Sequence, residues 1–175
     1  MKNIILIGYR CTGKTAVGKR LAEKLALPFL DTDELITREA KMSVEEIVRA
    51  GGWPLFRRKE KETITSLSSL EGAVIATGGG AFEDPVNREI LRKDGLFVWL
   101  TADVKTIVDR MRSDEKSDGQ RPPLSSNGME AEVAAMTRKR GSVYRGLAHV
   151  TIDTSEKGID AIADEVLGFI QEGVD

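Results

Sequence analysis

The chain has 175 residues, 41% of them hydrophobic, and 26 Lys+Arg against 28 Asp+Glu give a formal net charge of −2. This length and apolar content fit one domain with a full core and exclude disordered and fibrous classes, while the near-balanced charge excludes a global positive field for nucleic acid or an anionic membrane. One cysteine, Cys11, and one histidine, His149, exclude an internal disulfide framework and any multi-cysteine or multi-histidine metal centre.

The first expected strand is Asn3–Ile7. Its apolar run from Ile4 to Ile7, ended by Gly8, is too short for a signal-peptide core, and no stretch reaches the ~18 apolar residues that span a bilayer. A cytoplasmic, soluble protein is expected, with a reducing environment for Cys11. Gly8-Tyr9-Arg10-Cys11-Thr12-Gly13-Lys14-Thr15 then matches G-x-x-x-x-G-K-[ST] directly after a strand and before a helix. Glycines at those positions let backbone N–H groups turn inward around phosphate oxygens, and the helix N-terminus adds its positive end. On this reading Lys14 reaches the β and γ phosphates and the Thr15 hydroxyl ligates Mg²⁺. Gly8, Arg10, Cys11, Thr12, Gly13, Lys14, Thr15 and Ala16 make up the nucleotide cradle, with Cys11 a bystander through its side chain. Val17, Leu21 and Leu25, four apart, predict a helix over Lys14–Leu25.

A second strand, Phe29–Asp31, leads into Asp31-Thr32-Asp33. If strand geometry persists, the two carboxylates project to one side, roughly 6–7 Å apart, so that one can hold Mg²⁺ while the other faces a substrate hydroxyl. The alternative is that Asp33 caps a helix starting near Glu34. Ser43-Val44-Glu45-Glu46 has capping-box spacing. Phe56-Arg57-Arg58-Lys59-Glu60 begins a charge-dense helix in which only one arginine need do more than face solvent, and nearby Trp53 is a candidate border of a substrate pocket. The strand expected over Ala73–Thr77 runs into Thr77-Gly78-Gly79-Gly80, where backbone can approach a ligand closely. Asp84-Pro85 signals a helix start. Leu96–Leu100 and Val150–Asp153 complete five strands, with Trp99 expected in the core and His149 in a structural role. Ile159, Ile162, Ala163, Val166 and Ile170 mark a C-terminal amphipathic helix. Between them Ser113–Gly128, rich in Ser, Asp, Gly and Pro, has no apolar periodicity and reads as a long loop or lid. Strand and helix alternate throughout, which predicts one doubly wound α/β domain over residues 1–175, with ligands at the carboxyl ends of the strands.

In this order the P-loop, the D-x-D at Asp31 and Asp33, G-W-x-x-F-R-x-x-E from Gly52 to Glu60, T-G-G-G at Thr77 to Gly80, Arg121-Pro122 and Tyr144-Arg145 resemble shikimate kinase over nearly the whole chain. The resemblance implies a three-layer P-loop kinase fold related to nucleoside monophosphate kinases, with a five-stranded parallel sheet in the order 2-3-1-4-5 and a mobile lid at about residues 112–128. It implies transfer of the γ-phosphoryl group of MgATP to the 3-hydroxyl of shikimate. By position, Asp31 assists Mg²⁺ and Asp33 binds and polarises the acceptor hydroxyl. Arg57 and Arg145 clamp the carboxylate, and Gly79 and Gly80, after Gly78, supply backbone donors. Arg121 enters from the lid, and Arg110 with Asp153, Thr154 and Ser155 borders the adenine. Lys14, Asp33 and Arg121 are the expected catalytic groups. ATP and shikimate are the expected partners, with no nucleic acid or membrane, and the chain is expected to be a monomer.

Three departures stand out. The lid from Arg112 to Gly128 is longer than usual for the family, and Arg121-Pro122-Pro123-Leu124 replaces the common R-P-L, which makes Arg112 an alternative lid arginine. Thr37 stands where the family often has glutamate. Rival readings are another small-metabolite or nucleoside monophosphate kinase, and a nucleotide-gated switch, against which the sequence has no N-K-x-D guanine-reading motif.

Overall fold

The structure, a computed structural model, describes residues 2–93, 95–113 and 128–173. Its five strands are β1 (Asn3–Ile7), β2 (Phe29–Asp31), β3 (Val74–Ala76), β4 (Gly95–Thr101) and β5 (Val150–Asp153). They form one parallel sheet in the order β2-β3-β1-β4-β5, as the family resemblance implies. The helices are α1 (Lys14–Leu25), α2 (Thr32–Ala40), α3 (Val44–Ser66), α4 (Pro85–Arg92), α5 (Val104–Ser113), α6 (Met129–Leu147) and α7 (Ile159–Gln171), with a 3₁₀ turn at Ala81–Glu83. Among the described residues no helix is long and apolar enough to cross a membrane.

Strand β1 shows why the sheet is covered on both sides. All five of its residues are buried, and their side chains divide by parity. Ile4 and Leu6 join Val17, Leu21, Ile162 and Val166 in a core beneath α1 and α7, whereas Ile5 and Ile7 join Ile64, Phe82, Leu91 and Tyr144 on the opposite face. A period of two set against two helical layers yields a continuously apolar strand. The register places Ile5 between Ile75 of β3 and Phe97 of β4, so the P-loop leaves the middle of the sheet.

Local signals fix the helix starts. Ser43 and Glu46 complete the capping box on α3, and Asp84 accepts from the Val86 N–H at 2.8 Å ahead of Pro85. At the start of α2 the cap is Asp31, whose side chain accepts from the backbone N–H of Asp33 and Glu34. Asp33 therefore lies in the first helical turn, and neither its expected capping role nor a continued strand geometry holds: the chain turns helical at Thr32. Helix α3 is two arms joined at Gly51 and Gly52, with Gly52 at φ 69°, and Pro54 lies just beyond the kink, in the first turn of the second arm, where its missing N–H is harmless. Ile36, Val44, Ile47 and Phe56 form a small cluster between α2 and α3, with Trp53 packed against it.

Candidate active site

The loop between β1 and α1 is shaped by three residues at positive φ: Gly8 at 145°, Cys11 at 59° and Gly13 at 92°. Gly8 has no substitute, since a Cβ there would lie 2.2 Å from the Leu100 carbonyl oxygen. Lys14 folds back over this loop, its Nζ donating to the carbonyls of Gly8 at 2.9 Å and Tyr9 at 2.7 Å. These are neutral acceptors, which an anionic phosphate surpasses as a partner. Cys11 packs its side chain beside Tyr9, Val108 and Met111, while its carbonyl accepts from Arg110 Nη1 at 3.2 Å. Arg110 also grips Thr154, through its hydroxyl at 3.1 Å and its carbonyl at 2.5 Å, and the Thr154 hydroxyl lies 3.1 Å from the Thr12 carbonyl. The ends of β5 and α5 are thus tied to the P-loop. Asp153 accepts from the N–H and hydroxyl of Ser155, which closes that turn.

Next to Lys14, the Thr15 hydroxyl donates to Asp31 Oδ2 at 2.8 Å. Burial raises the Asp31 carboxyl above its ordinary value and the charge of Asp33 adds to the effect, while the Thr15 bond works against both. Two hard oxygen donors, one an electrostatically uncomfortable anion, fit Mg²⁺, which keeps most of its waters and takes one or two protein oxygens.

Beyond the P-loop lies a cavity of about 320 Å³ lined by Tyr9, Arg10, Trp53, Arg57, Gly78–Gly80 and Arg140, among others. The glycines of T-G-G-G serve space more than conformation. A Cβ on Gly80 would lie 2.2 Å from Arg57 Nη2, and one on Gly78 would lie 2.7 Å from both Asp33 Oδ1 and Glu60 Oε1. Arg57 is held by Glu60, 1% exposed, at 2.5 Å, and its guanidinium carbon lies 5.7 Å from the Trp53 ring centroid. Arg10 reaches Glu132 at 3.7 Å, and Arg140 reaches Glu83 at 2.8 Å. An arrangement with guanidinium groups, a carboxylate and a phosphate loop around one small cavity suits a small hydroxylated carboxylic acid beside a nucleotide.

Comparison with known proteins agrees. The family model described as shikimate kinase matches residues 10–171. A shikimate kinase of Syntrophus aciditrophicus is 44% identical over 97% of this chain and 91% of the relative, and one from Geobacter sulfurreducens is 40% identical over 98% and 92%. Among solved structures, shikimate kinase from Acinetobacter baumannii in complex with shikimate superposes with a TM-score of 0.91 at 34% identity, covering 98% of this chain and 94% of that one. The chain belongs to the shikimate kinase family. It is accordingly an ATP-dependent phosphotransferase with a shikimate kinase fold.

Within that shikimate kinase frame, the cavity gathers Arg57, Gly78, Gly79, Gly80 and also Arg10, which the sequence assigns to the nucleotide cradle. Asp33 does not line it but lies directly behind Gly78, its Oδ1 2.7 Å from where a Cβ on that glycine would sit. Arg145 does not reach it: this residue is exposed near the end of α6, and Arg140 lines the cavity instead. The reason is helical geometry, because five residues rotate a side chain about 140° around the axis. Tyr144 is four residues from Arg140 and shares its face, with its hydroxyl donating to the Gly79 carbonyl. Gly78 lines the cavity, but its N–H is taken by Thr32 Oγ1 at 3.0 Å, which leaves Gly79 and Gly80 as candidate backbone donors. Arg121 and nearly all of the lid expected over residues 112–128 lie outside the described residues. Arg112, the alternative lid arginine, is exposed at the end of α5 and 3.9 Å from Asp109. Trp53 borders the cavity as expected, Trp99 packs on Tyr144, and Arg58 faces solvent. Glu83, Glu132 and Arg140 are the residues that the sequence does not single out; Glu60 stands in it only as the end of G-W-x-x-F-R-x-x-E, with no role attached.

Proposed function

We propose that this enzyme transfers the γ-phosphoryl group of ATP to the 3-hydroxyl of shikimate, with Arg57 and Arg140 receiving the acceptor carboxylate and Asp33 its hydroxyl. The observation that carries the reading is the convergence of those two arginines on one cavity at the edge of the P-loop, with Asp33 next to one of its lining glycines, Gly78. The Acinetobacter baumannii relative holding shikimate supports the same choice of acceptor.

Phosphoryl transfer through a loose transition state asks for positioning and charge neutralisation more than covalent chemistry. Lys14 exchanges the Gly8 and Tyr9 carbonyls for β- and γ-phosphate oxygens, and the loop N–H groups with the α1 N-terminus hold the rest. Thr15 and Asp31 are the residues that would hold Mg²⁺, which when bound neutralises charge on the phosphate oxygens. Asp33 orients the acceptor hydroxyl and takes its proton late in the transfer. Gly79 and Gly80 supply N–H donors, and Arg110 with Asp153, Thr154 and Ser155 borders the base. Arg121 is assigned to the transferring phosphoryl on the family resemblance alone.

A coupled ADP-release assay with shikimate, gluconate and nucleoside monophosphates offered separately tests the proposal. Shikimate should be turned over far faster than the others; equal or faster use of AMP or gluconate would overturn it. In the same assay Asp33→Asn should lose roughly 10²–10⁴ in rate, by general-base precedent, and added Mg²⁺ should not restore it.

A further inference from the structure

Arg140 is buried, yet its long side chain hangs from α6 and needs something to aim it. Glu83, at the end of the 3₁₀ turn and itself on the cavity wall, does so along one edge. Its Oε1 accepts from Arg140 Nε at 2.8 Å and lies 2.8 Å from Nη2, so one whole edge of the guanidinium is occupied. The other nitrogen, Nη1, lies 3.5 Å from where a Cβ on Gly79 would sit, in the same region as the Gly8 carbonyl and the Arg10 backbone nitrogen. That is the seam between acceptor cavity and P-loop.

Glu83 is itself fixed. Its Oε2 accepts from Lys139 at 2.8 Å, its N–H donates to the Gly80 carbonyl at 3.0 Å, and its own carbonyl accepts from Arg88 at 3.1 Å. Burial works against the Glu83 charge, but the bonds from Lys139 and Arg140 outweigh it and keep the carboxylate ionised. A planar guanidinium locked along one edge has its remaining donors pre-aimed, so less freedom is lost when an anion binds.

We infer that Glu83 is a positioning residue for the acceptor: with both carboxylate oxygens engaged by Lys139 and Arg140, it acts by setting Arg140 so that Nη1 meets the substrate carboxylate. This rests on the proposed role of Arg140. Glu83 also sits on the segment that carries Gly79 and Gly80, so the arginine and the backbone donors keep a fixed mutual spacing.

The test is a double-mutant cycle on the full-length enzyme, with Glu83→Ala, Arg140→Ala, the pair, and Glu83→Gln, reading KM for shikimate, KM for ATP, kcat and melting temperature. Glu83→Ala should raise KM for shikimate roughly tenfold while KM for ATP and kcat stay near normal, and it should add almost nothing in the Arg140→Ala background. Glu83→Gln, which keeps an acceptor oxygen, should recover most of the affinity. If Glu83 only neutralised charge, Glu83→Gln would bind shikimate more tightly than the parent, and the inference falls. It falls equally if the two losses multiply, or if affinity tracks melting temperature across the set. An Arg140→Ala enzyme with normal KM for shikimate would overturn the role of Arg140 itself, whereas a large effect of Arg140→Ala with none of Glu83→Ala or Glu83→Gln would overturn only the inference.

Discussion

The hydroxyl of Thr15, in the first turn of α1, donates to Oδ2 of Asp31, the last residue of β2, at 2.8 Å. Sixteen residues separate them in sequence, and β2 is not the neighbour of β1 in the sheet. Two elements thus bring the oxygen pair together before any ligand arrives.

Asp31→Asn should trade function for stability. Burial first, then the charge of Asp33, raises this carboxyl above its ordinary 3.8, against the opposing Thr15 bond. A carboxyl raised by folding binds its proton better in the folded chain, so stability falls as pH climbs from the unfolded value through the folded one and stays lower above it. The asparagine variant should therefore melt higher than the parent at neutral pH without metal, and require more Mg²⁺ for half-maximal rate. Calorimetric scans and Mg²⁺ titrations check both; a lower melting point with unchanged Mg²⁺ demand would refute the assignment.

The arginine clamp gives a three-way comparison. Arg57→Ala and Arg140→Ala should each weaken shikimate binding by on the order of 2–5 kcal/mol, because each leaves a partner carboxylate or the acceptor anion without its charge-assisted bond. Arg145→Ala should leave it unchanged. Titration calorimetry showing the loss at Arg145 and none at Arg140 would restore the sequence-based expectation.

The comparison of Arg140 with Arg145 also marks how far the sequence is legible. Strand β1 is readable because its unbroken apolar run is local, and the P-loop because its spacing is a backbone requirement. Asp31 is visible as chemistry, but its second role as the α2 cap depends on where the strand ends, which no residue type announces. Choosing between two arginines five apart requires the rotation of α6, fixed here by Tyr144 meeting the Gly79 carbonyl, a contact between residues 65 apart in sequence. Glu60 is visible as the end of a motif but not as a buried partner of Arg57, and Glu83 looks like any surface acid until the fold sets it against Arg140.

Two glycine substitutions should separate stability from binding. In Gly80→Ala the new Cβ meets Arg57 Nη2, the movable tip of a side chain, so the fold should survive while KM for shikimate rises. In Gly8→Ala it meets the Leu100 carbonyl oxygen at a φ of 145°, and backbone cannot step aside, so a loss of roughly 2–4 kcal/mol of stability is expected. Chemical denaturation with steady-state kinetics distinguishes these outcomes; a normal KM in Gly80→Ala would mean that Arg57 is not where affinity resides.

His149 should contribute a pH dependence to stability that has nothing to do with catalysis. Its Nδ1 accepts from the Phe97 N–H at 3.0 Å and its ring stacks on Phe97, an arrangement that needs the neutral imidazole. Burial first, then the charges of Lys2 and Arg92, holds its pKa below the ordinary 6.5. The unfolded chain then binds the proton more readily, so this contribution is complete above 6.5 and is lost as pH falls through the lower folded value. Melting temperatures of His149→Ala and parent should converge with acidification over that interval, and a constant gap would disprove the link.

The small cluster of Ile36, Val44, Ile47 and Phe56 stands apart from the two cores that sandwich the sheet, and Arg57 follows directly on one of its members. The P-loop, the Gly79–Gly80 donors and the Arg140–Tyr144 face of α6 are anchored in the sheet and its main cores, while the Arg57 arm of the acceptor clamp leans on a minor packing unit joined through the Gly51–Gly52 kink. Regions with fewer buried contacts open at lower free energy than the whole. Only the closed fraction binds, so apparent affinity scales with that fraction. Genetic variation at Val44 or Ile47 is accordingly felt first as a poorer hold on the acceptor, with nucleotide affinity and global melting left intact.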